Sequence, residues 1–161
     1  EPQVGDCVLV EAGTVHAIGA GLLIAEIQQQ SDTTFRVFDW NRLGTDGKPR
    51  QLHIEQALAV TDFERGPVSP TVPAATGTPG VQRLAACDKF VVDRWQVDAP
   101  RAMGGDERFH LLAVVEGAAS LAGDPLAEPM SKGSTALVPA SCGKVQVTPT
   151  PQAVLLDMSL P

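Results

Sequence analysis

The sequence lacks several features that mark particular classes of protein. No apolar run approaches the ~20 residues of a membrane-spanning helix, so we expect no membrane partner. Basic residues are scarce, with 12 Lys and Arg against 19 Asp and Glu, and the net charge of −7 argues against a nucleic-acid partner. The three cysteines are far apart and form no CxxC pair, which predicts reduced thiols and a cytoplasmic location.

What the sequence does contain is a globular composition rich in turn-forming residues. Apolar residues make up 43% and charged residues 19%, as in ordinary folded domains. The 15 Gly and 13 Pro are poorly tolerated inside helices and therefore favour an all-β fold with frequent turns. The opening residues, Glu1–Asp6, already lead into a strand pattern without an initiator Met, so we expect the chain to begin within a domain.

The composition along the chain predicts two structured blocks, residues 1–63 and 81–161, joined by a linker. The linker, residues 64–80, reads ERGPVSPTVPAATGTPG, and its four prolines and three glycines exclude a helix or a central strand. Both blocks contain short runs of β-forming residues, and one short helix is predicted at 55–60. The predicted strands are 7–10, 21–29, 33–40, 90–97, 110–115, 134–138, 144–147 and 154–160.

A histidine in the first block occupies a position that suits a metal ligand. The segment GDCVLVEAGTVH has the spacing G-x5-P-x-G-x2-H of the second cupin signature, with Glu11 in place of the usual proline and His16 at its end. A strand would fix the direction of the imidazole, whose neutral nitrogen is a good zinc ligand. Taken alone, an isolated histidine in a strand more often has a structural role.

The residues that follow extend this resemblance to a particular enzyme family. The segment AGTVHAIGAGLLIAEIQQQSDTTFRVFDWNR, continued by DGKPRQLHIEQAL, resembles type I mannose-6-phosphate isomerases of the bacterial kind. FVVDRW, RFHLLAVVEG and GSTALVPAS resemble their C-terminal domain. The resemblance implies a cupin-like double-stranded β-barrel, incomplete in residues 1–63, followed by a second small cupin-like β-domain.

The resemblance also implies roles for four residues and a substrate. His16 matches a zinc ligand, Arg36 matches the catalytic arginine, and Glu26 and Asp32 match acids that face the sugar pocket. The implied substrate is a phosphorylated hexose: mannose 6-phosphate is converted to fructose 6-phosphate through a cis-enediol, with zinc polarising its oxygens. A guanidinium group at Arg36 suits a developing enediolate, and either acid could move the proton.

The other zinc ligands of the family, a Gln-x-His pair and a Glu, do not precede His16 in this sequence. Gln51-Leu52-His53 has the right residue types in the wrong place, and we interpret His53 as structural. In the second block no HxH precedes His110 in GGDERFH, and Lys144 replaces the second signature's histidine, so this block is predicted to bind no metal.

Two functions are therefore open at the level of sequence. The first is an isomerase site that the family's N-terminal half must complete. The second is a non-catalytic cupin protein that binds a sugar phosphate or pairs with a partner chain. Unpaired strand edges would favour a homodimer or pairing with that N-terminal half.

Overall fold

The computed structural model describes residues 1–31, 33–126 and 128–161 and is mostly β. The single α-helix, α1, is Ile54–Val60, close to the predicted helix, and a 3₁₀ turn spans Ala140–Cys142. No helix in this part of the chain is long and apolar enough to cross a membrane. The strands are β1 Ala74–Ala75, β2 Val81–Ala86, β3 Val91–Val97, β4 Arg101–Gly104, β5 His110–Leu121, β6 Met130–Ser131, β7 Thr135–Val138 and β8 Lys144–Ser159.

The eight strands form one antiparallel sheet organised around its two longest members. The strand order is β1-β2-β3-β8-β5-β6, with β4 also paired to β8 and β7 also paired to β5. The sheet does not close on itself within the residues that the structure describes. Alternate residues of β5 and β8 form the core, because successive side chains of a strand point to opposite faces. Its largest fully buried side chains are Leu112, Val114, Val147 and Leu155. The expected all-β, cupin-like fold class is confirmed for this chain.

The chain divides into two compact units, Glu1–Val8 with Pro70–Pro161, and Leu9–Ser69. This division groups residues 70–80 and 1–8 with the second predicted block, and β1 lies within the segment predicted as a linker. The boundaries that the composition suggested, at 63 and 80, remain predictions. We refer below to the sheet unit (Glu1–Val8 and Pro70–Pro161) and the loop unit (Leu9–Ser69).

The strand predictions for the first block are wrong. Residues 7–10, 21–29 and 33–40 form no strand, and the loop unit has only an isolated bridge between Leu43 and Pro49. β propensity largely measures how well a side chain packs against neighbouring strands. These segments have the composition of strands, but the described residues of the loop unit supply no neighbouring strand to pair with.

The end predicted for the strand 110–115 is also wrong. β5 continues to Leu121, and its register against β8 shifts between Val114 and Glu116 and again between Gly117 and Ala119. Gly117 has φ of +70°, and a Cβ there would lie 2.1 Å from the Gln152 carbonyl oxygen. Gly117 therefore lies in a β-bulge where the backbones of β5 and β8 approach closely, and it does not form a turn that ends the strand.

Candidate functional site

The loop unit is organised around one buried carboxylate that three arginines surround. Asp39 is 5% exposed. Arg50 Nε donates to Asp39 Oδ2 at 2.6 Å, and Arg42 Nη2 donates to Asp39 Oδ1 at 2.7 Å. Arg36 Nε lies 3.9 Å from Asp39 Oδ1. We call Arg36, Arg42 and Arg50 with Asp39 the arginine cluster.

The local chain path explains how residues so far apart in sequence come to share one carboxylate. Trp40 and Asn41 both adopt left-handed backbone conformations, with φ of 49° and 54°. They reverse the chain, and the Arg42 amide donates to the Asp39 carbonyl at 2.9 Å. A second reversal follows, in which the Gly44 amide donates to the Lys48 carbonyl at 2.7 Å. This turn, at Thr45-Asp46-Gly47-Lys48, returns Arg50 to Asp39.

Arg36 is anchored separately to the segment that leads into α1. Its amide donates to His53 Nδ1 at 3.2 Å, and the His53 amide donates to the Arg36 carbonyl at 2.8 Å. Arg36 Nη1 also donates to the Gln51 carbonyl at 3.3 Å. His53 thus holds the backbone of Arg36 through two hydrogen bonds. Its Nδ1 accepts one of them and is not free to bind a metal.

The electrostatics of the arginine cluster suit an anion. The hydrogen bond from Arg50 lowers the pKa of Asp39 to about 2, against the opposing effect of burial and with further help from Arg42. Asp39 is therefore ionised at neutral pH. Three guanidinium groups then face one carboxylate, which leaves two positive charges uncompensated within the cluster. Arg42, with its side chain 62% exposed, is the most accessible of the three to a ligand.

Two of the other predicted site residues, His16 and Glu26, lie apart from these contacts. His16 is exposed, and its Nδ1 lies 3.0 Å from the Thr14 carbonyl oxygen. Glu26 is exposed, and no side-chain hydrogen bond or ion pair of the described chain joins it or His16 to the arginine cluster. Asp32 lies outside the described residues. The roles assigned to these three residues remain predictions.

The described residues do not fit a zinc centre by themselves. No three His, Cys, Asp or Glu side chains in 1–31, 33–126 and 128–161 come together in a way that could hold a metal ion. A catalytic zinc normally has three protein ligands and one open position. His16 alone does not meet this requirement.

Sequence reasoning missed Asp39, Arg42 and Arg50. Their signal in the sequence was an acidic residue followed by two arginines on either side of a turn, in FDWNRLGTDGKPR. Such a pattern becomes a site only when left-handed residues fold the arginines back, and that conformation at Trp40 and Asn41 is uncommon for residues other than glycine.

Comparison with known proteins agrees with the resemblance. Residues 81–156 match the family described as mannose-6-phosphate isomerase, cupin domain. The mannose-6-phosphate isomerase ManA of Bacillus subtilis is 33% identical over 149 residues, which are 89% of this chain and 46% of that protein. Residues 81–156 of this chain therefore belong to the mannose-6-phosphate isomerase cupin-domain family.

Two further relatives support the membership. The mannose-6-phosphate isomerase of Streptococcus mutans is 37% identical over 117 residues, 71% of this chain and 36% of that protein. The crystal structure of the Bacillus subtilis mannose 6-phosphate isomerase matches with a TM-score of 0.65 at 25% identity, over 80% of this chain and 40% of that one. The chain thus spans less than half the length of the curated relatives that it matches.

Proposed function

We propose that this chain is part of an aldose–ketose isomerase that interconverts mannose 6-phosphate and fructose 6-phosphate, and that the arginine cluster holds the anionic substrate. The observation that carries the proposal is the surplus positive charge around buried Asp39. A guanidinium forks onto two oxygens of a phosphate or an enediolate, and it stays charged at every physiological pH. The family membership supplies the reaction class.

Within this proposal Arg36 stabilises the negative charge that develops on the sugar. Its backbone is fixed by His53 and its Nη1 by the Gln51 carbonyl, so its guanidinium is oriented before substrate arrives. Fixed donors of this kind lower a barrier because they need no reorganisation during the reaction. Glu26 and Asp32 are the proposed acids. One takes the proton from C2 of the aldose to form the cis-enediol, and a proton is returned to C1.

We propose a zinc centre whose remaining ligands come from residues beyond this chain. We propose that His16 joins zinc ligands supplied by the family's N-terminal half, since the described residues do not complete a centre. The three free cysteines, Cys7, Cys87 and Cys142, form no disulfide, in keeping with the reducing cytoplasm that we propose as the compartment.

The exposed apolar surface of the loop unit also supports the family's N-terminal half as the partner of this chain. Val15, Leu23 and Phe63 are 63%, 88% and 72% exposed. Large apolar side chains concentrated in this way usually mark a surface that another protein segment covers. We propose that the segment preceding this region in the family covers it and contacts residues 21–29 and 33–40, which form no strand in the structure. A homodimer is the alternative occupant, and light scattering of the isolated chain distinguishes the two.

Substitution of Arg42 by Gln is expected to weaken binding of mannose 6-phosphate on the order of tenfold, because one charge-assisted pair of hydrogen bonds to the phosphate is lost. Isothermal titration of the purified chain measures this, and unphosphorylated mannose should bind far more weakly. Arg65→Gln is the matched control. Arg65 lies in the same unit but is already paired with Glu11 and Asp62, so its loss should change affinity by no more than about twofold. Equal losses in both variants would contradict the assignment of the phosphate to the arginine cluster.

A further inference from the structure

The sheet unit buries a second cluster of titratable groups, which the proposed isomerase site does not use. His110 at the start of β5 is 6% exposed, and so is Asp157 in β8. His110 Nδ1 lies 2.9 Å from Asp157 Oδ1 and 3.1 Å from Asp157 Oδ2. On the other side of the ring, His110 Nε2 lies 3.0 Å from Asp106 Oδ1. The imidazole is therefore held between two carboxylates.

This geometry decides how many protons the cluster holds. An ionised carboxylate only accepts hydrogen bonds, and a neutral imidazole has only one N–H to donate. Two carboxylate contacts on one ring therefore require the imidazolium form, or one protonated carboxyl group. Burial lowers the pKa of His110, but the bonds to Asp106 and Asp157 outweigh it, so the pKa lies above its ordinary value. Burial also raises the pKa of Asp157.

The groups that face this cluster come from every strand packed against it. Asp93 of β3 lies opposite Asp157 in the sheet register and is paired with Arg83 of β2. Arg108 donates to Asp106 Oδ2 from Nε at 2.9 Å. Lys144 at the start of β8 borders the same turn at Gly105. Three carboxylates, two guanidinium groups and one ammonium group thus lie in or next to the cluster, and of these only Asp106 and Asp157 contact His110 itself.

The carboxylate at the surface side of the ring, Asp106, belongs to the turn that leaves the end of β4 at Gly104 and leads to β5. Gly104, Gly105 and Glu107 have positive φ of 70°, 78° and 65°. A left-handed glutamate is uncommon and must be held by its surroundings. Arg108 connects this turn to the end of the chain, because its Nη1 donates to the Leu160 carbonyl at 2.9 Å. Asp106, with its side chain 34% exposed, is the member of the cluster that water can reach.

We propose that Asp106, His110 and Asp157 form a pH-sensitive latch that holds the 104–108 turn and the chain end at Leu160 against the sheet. When His110 loses its proton, the remaining N–H stays with Asp157, which is buried and has no access to water. The lone pair on Nε2 then faces the carboxylate of Asp106, and the turn moves into solvent together with Arg108.

The direction of the pH effect follows from the raised pKa of His110. A basic group whose pKa is higher in the folded state stabilises that state fully below its ordinary value, which is 6.5 for histidine. The stabilisation is lost as the pH rises through the pKa of the folded protein. The latch is therefore closed in mildly acidic solution and opens on the alkaline side.

The latch is tested by a nuclear magnetic resonance titration of the imidazole groups combined with hydrogen exchange of the full chain. The protein has three histidines, so the His110 signal is assigned by its loss in His110→Gln. We expect His110 to titrate above 6.5 in the wild type and at lower pH in Asp106→Asn, which preserves shape but removes charge. Protection factors of amides 104–108 should fall on the order of tenfold across the His110 titration.

The controls separate a latch from a merely structural cluster. Asp106→Asn should show low protection of residues 104–108 at every pH, without the step. His110→Gln alone would not decide the matter if it failed to fold, which is why the half-exposed Asp106 is the principal variant. The proposal is overturned if His110 titrates at or below its ordinary pKa in the wild type, or if the step in protection persists in Asp106→Asn.

Discussion

Replacement of Gly117 by alanine is expected to destabilise the sheet unit by about 3 kcal/mol or more. A left-handed backbone costs a side-chain-bearing residue roughly 1–2 kcal/mol. At Gly117 the added Cβ would also lie 2.1 Å from the Gln152 carbonyl oxygen and 3.1 Å from the Ala153 Cα. Both are backbone atoms of β8, so the clash is relieved only if the two central strands move apart around a core in which Leu155 is fully buried.

Gly123→Ala is the matched control for this prediction. Gly123 has φ of +85°, but nothing lies within 4 Å of the position that its Cβ would occupy. It therefore reports the backbone strain without the clash, and its cost should stay near 1 kcal/mol. Urea denaturation of both variants gives the two free energies of unfolding. Equal losses would show that β5 and β8 do not approach closely at Gly117.

Replacement of Asp39 by asparagine is expected to open residues 36–50 and abolish measurable binding of mannose 6-phosphate. The substitution removes the carboxylate that Arg42 and Arg50 share and leaves three guanidinium groups repelling one another. Cleavage by trypsin at these arginines should become faster by roughly tenfold or more, because cleavage follows the population of the open form. Asp62→Asn, which breaks a more exposed pair with Arg65, should leave the cleavage pattern of residues 36–50 unchanged.

The pH dependence of amide hydrogen exchange in residues 36–50 provides an independent check on Asp39. Its pKa is lowered from 3.8 to about 2, so its contribution to stability is present above 3.8 and lost as the pH falls through about 2. In the wild type, the acid-induced opening of residues 36–50 should follow this range. Asp39→Asn should lack that dependence, since it has no group to titrate. An unchanged acid profile in Asp39→Asn would show that another carboxylate holds the arginines.

Parts of β3, β5, β7 and β8 were predicted from the sequence because their information is local, whereas β1, β2, β4 and β6 were not predicted. Val91–Val97 and His110–Leu121 carry the composition of buried strands, and their neighbours in the sheet are present in the same unit. The strong β composition of 33–40 has the same local signal but no neighbouring strand in the described loop unit. Local composition therefore predicted the strands only where partner strands were present.

For a similar reason, the sequence predicted a single residue of the arginine cluster but not the contacts that join it to others. Arg36 was found from a family-like motif, and the structure adds what that motif does not contain, namely the carboxylate of Asp39 and the two further arginines. His110 and Asp157 are separated by 47 residues, so no local pattern joins them. Contacts of this kind depend on strand register, which a single sequence does not supply.

We propose that this chain binds the substrate and that a further segment of the enzyme completes the metal centre together with it. The direct test is conversion of mannose 6-phosphate to fructose 6-phosphate, followed by nuclear magnetic resonance, with the purified 161-residue chain and added zinc. The intact Bacillus subtilis relative serves as the positive control, and titration of the same sample confirms that the chain binds the sugar phosphate. We expect binding without conversion, and conversion when the relative's N-terminal half is co-expressed with the chain. Robust zinc-dependent conversion by the chain alone would contradict the account.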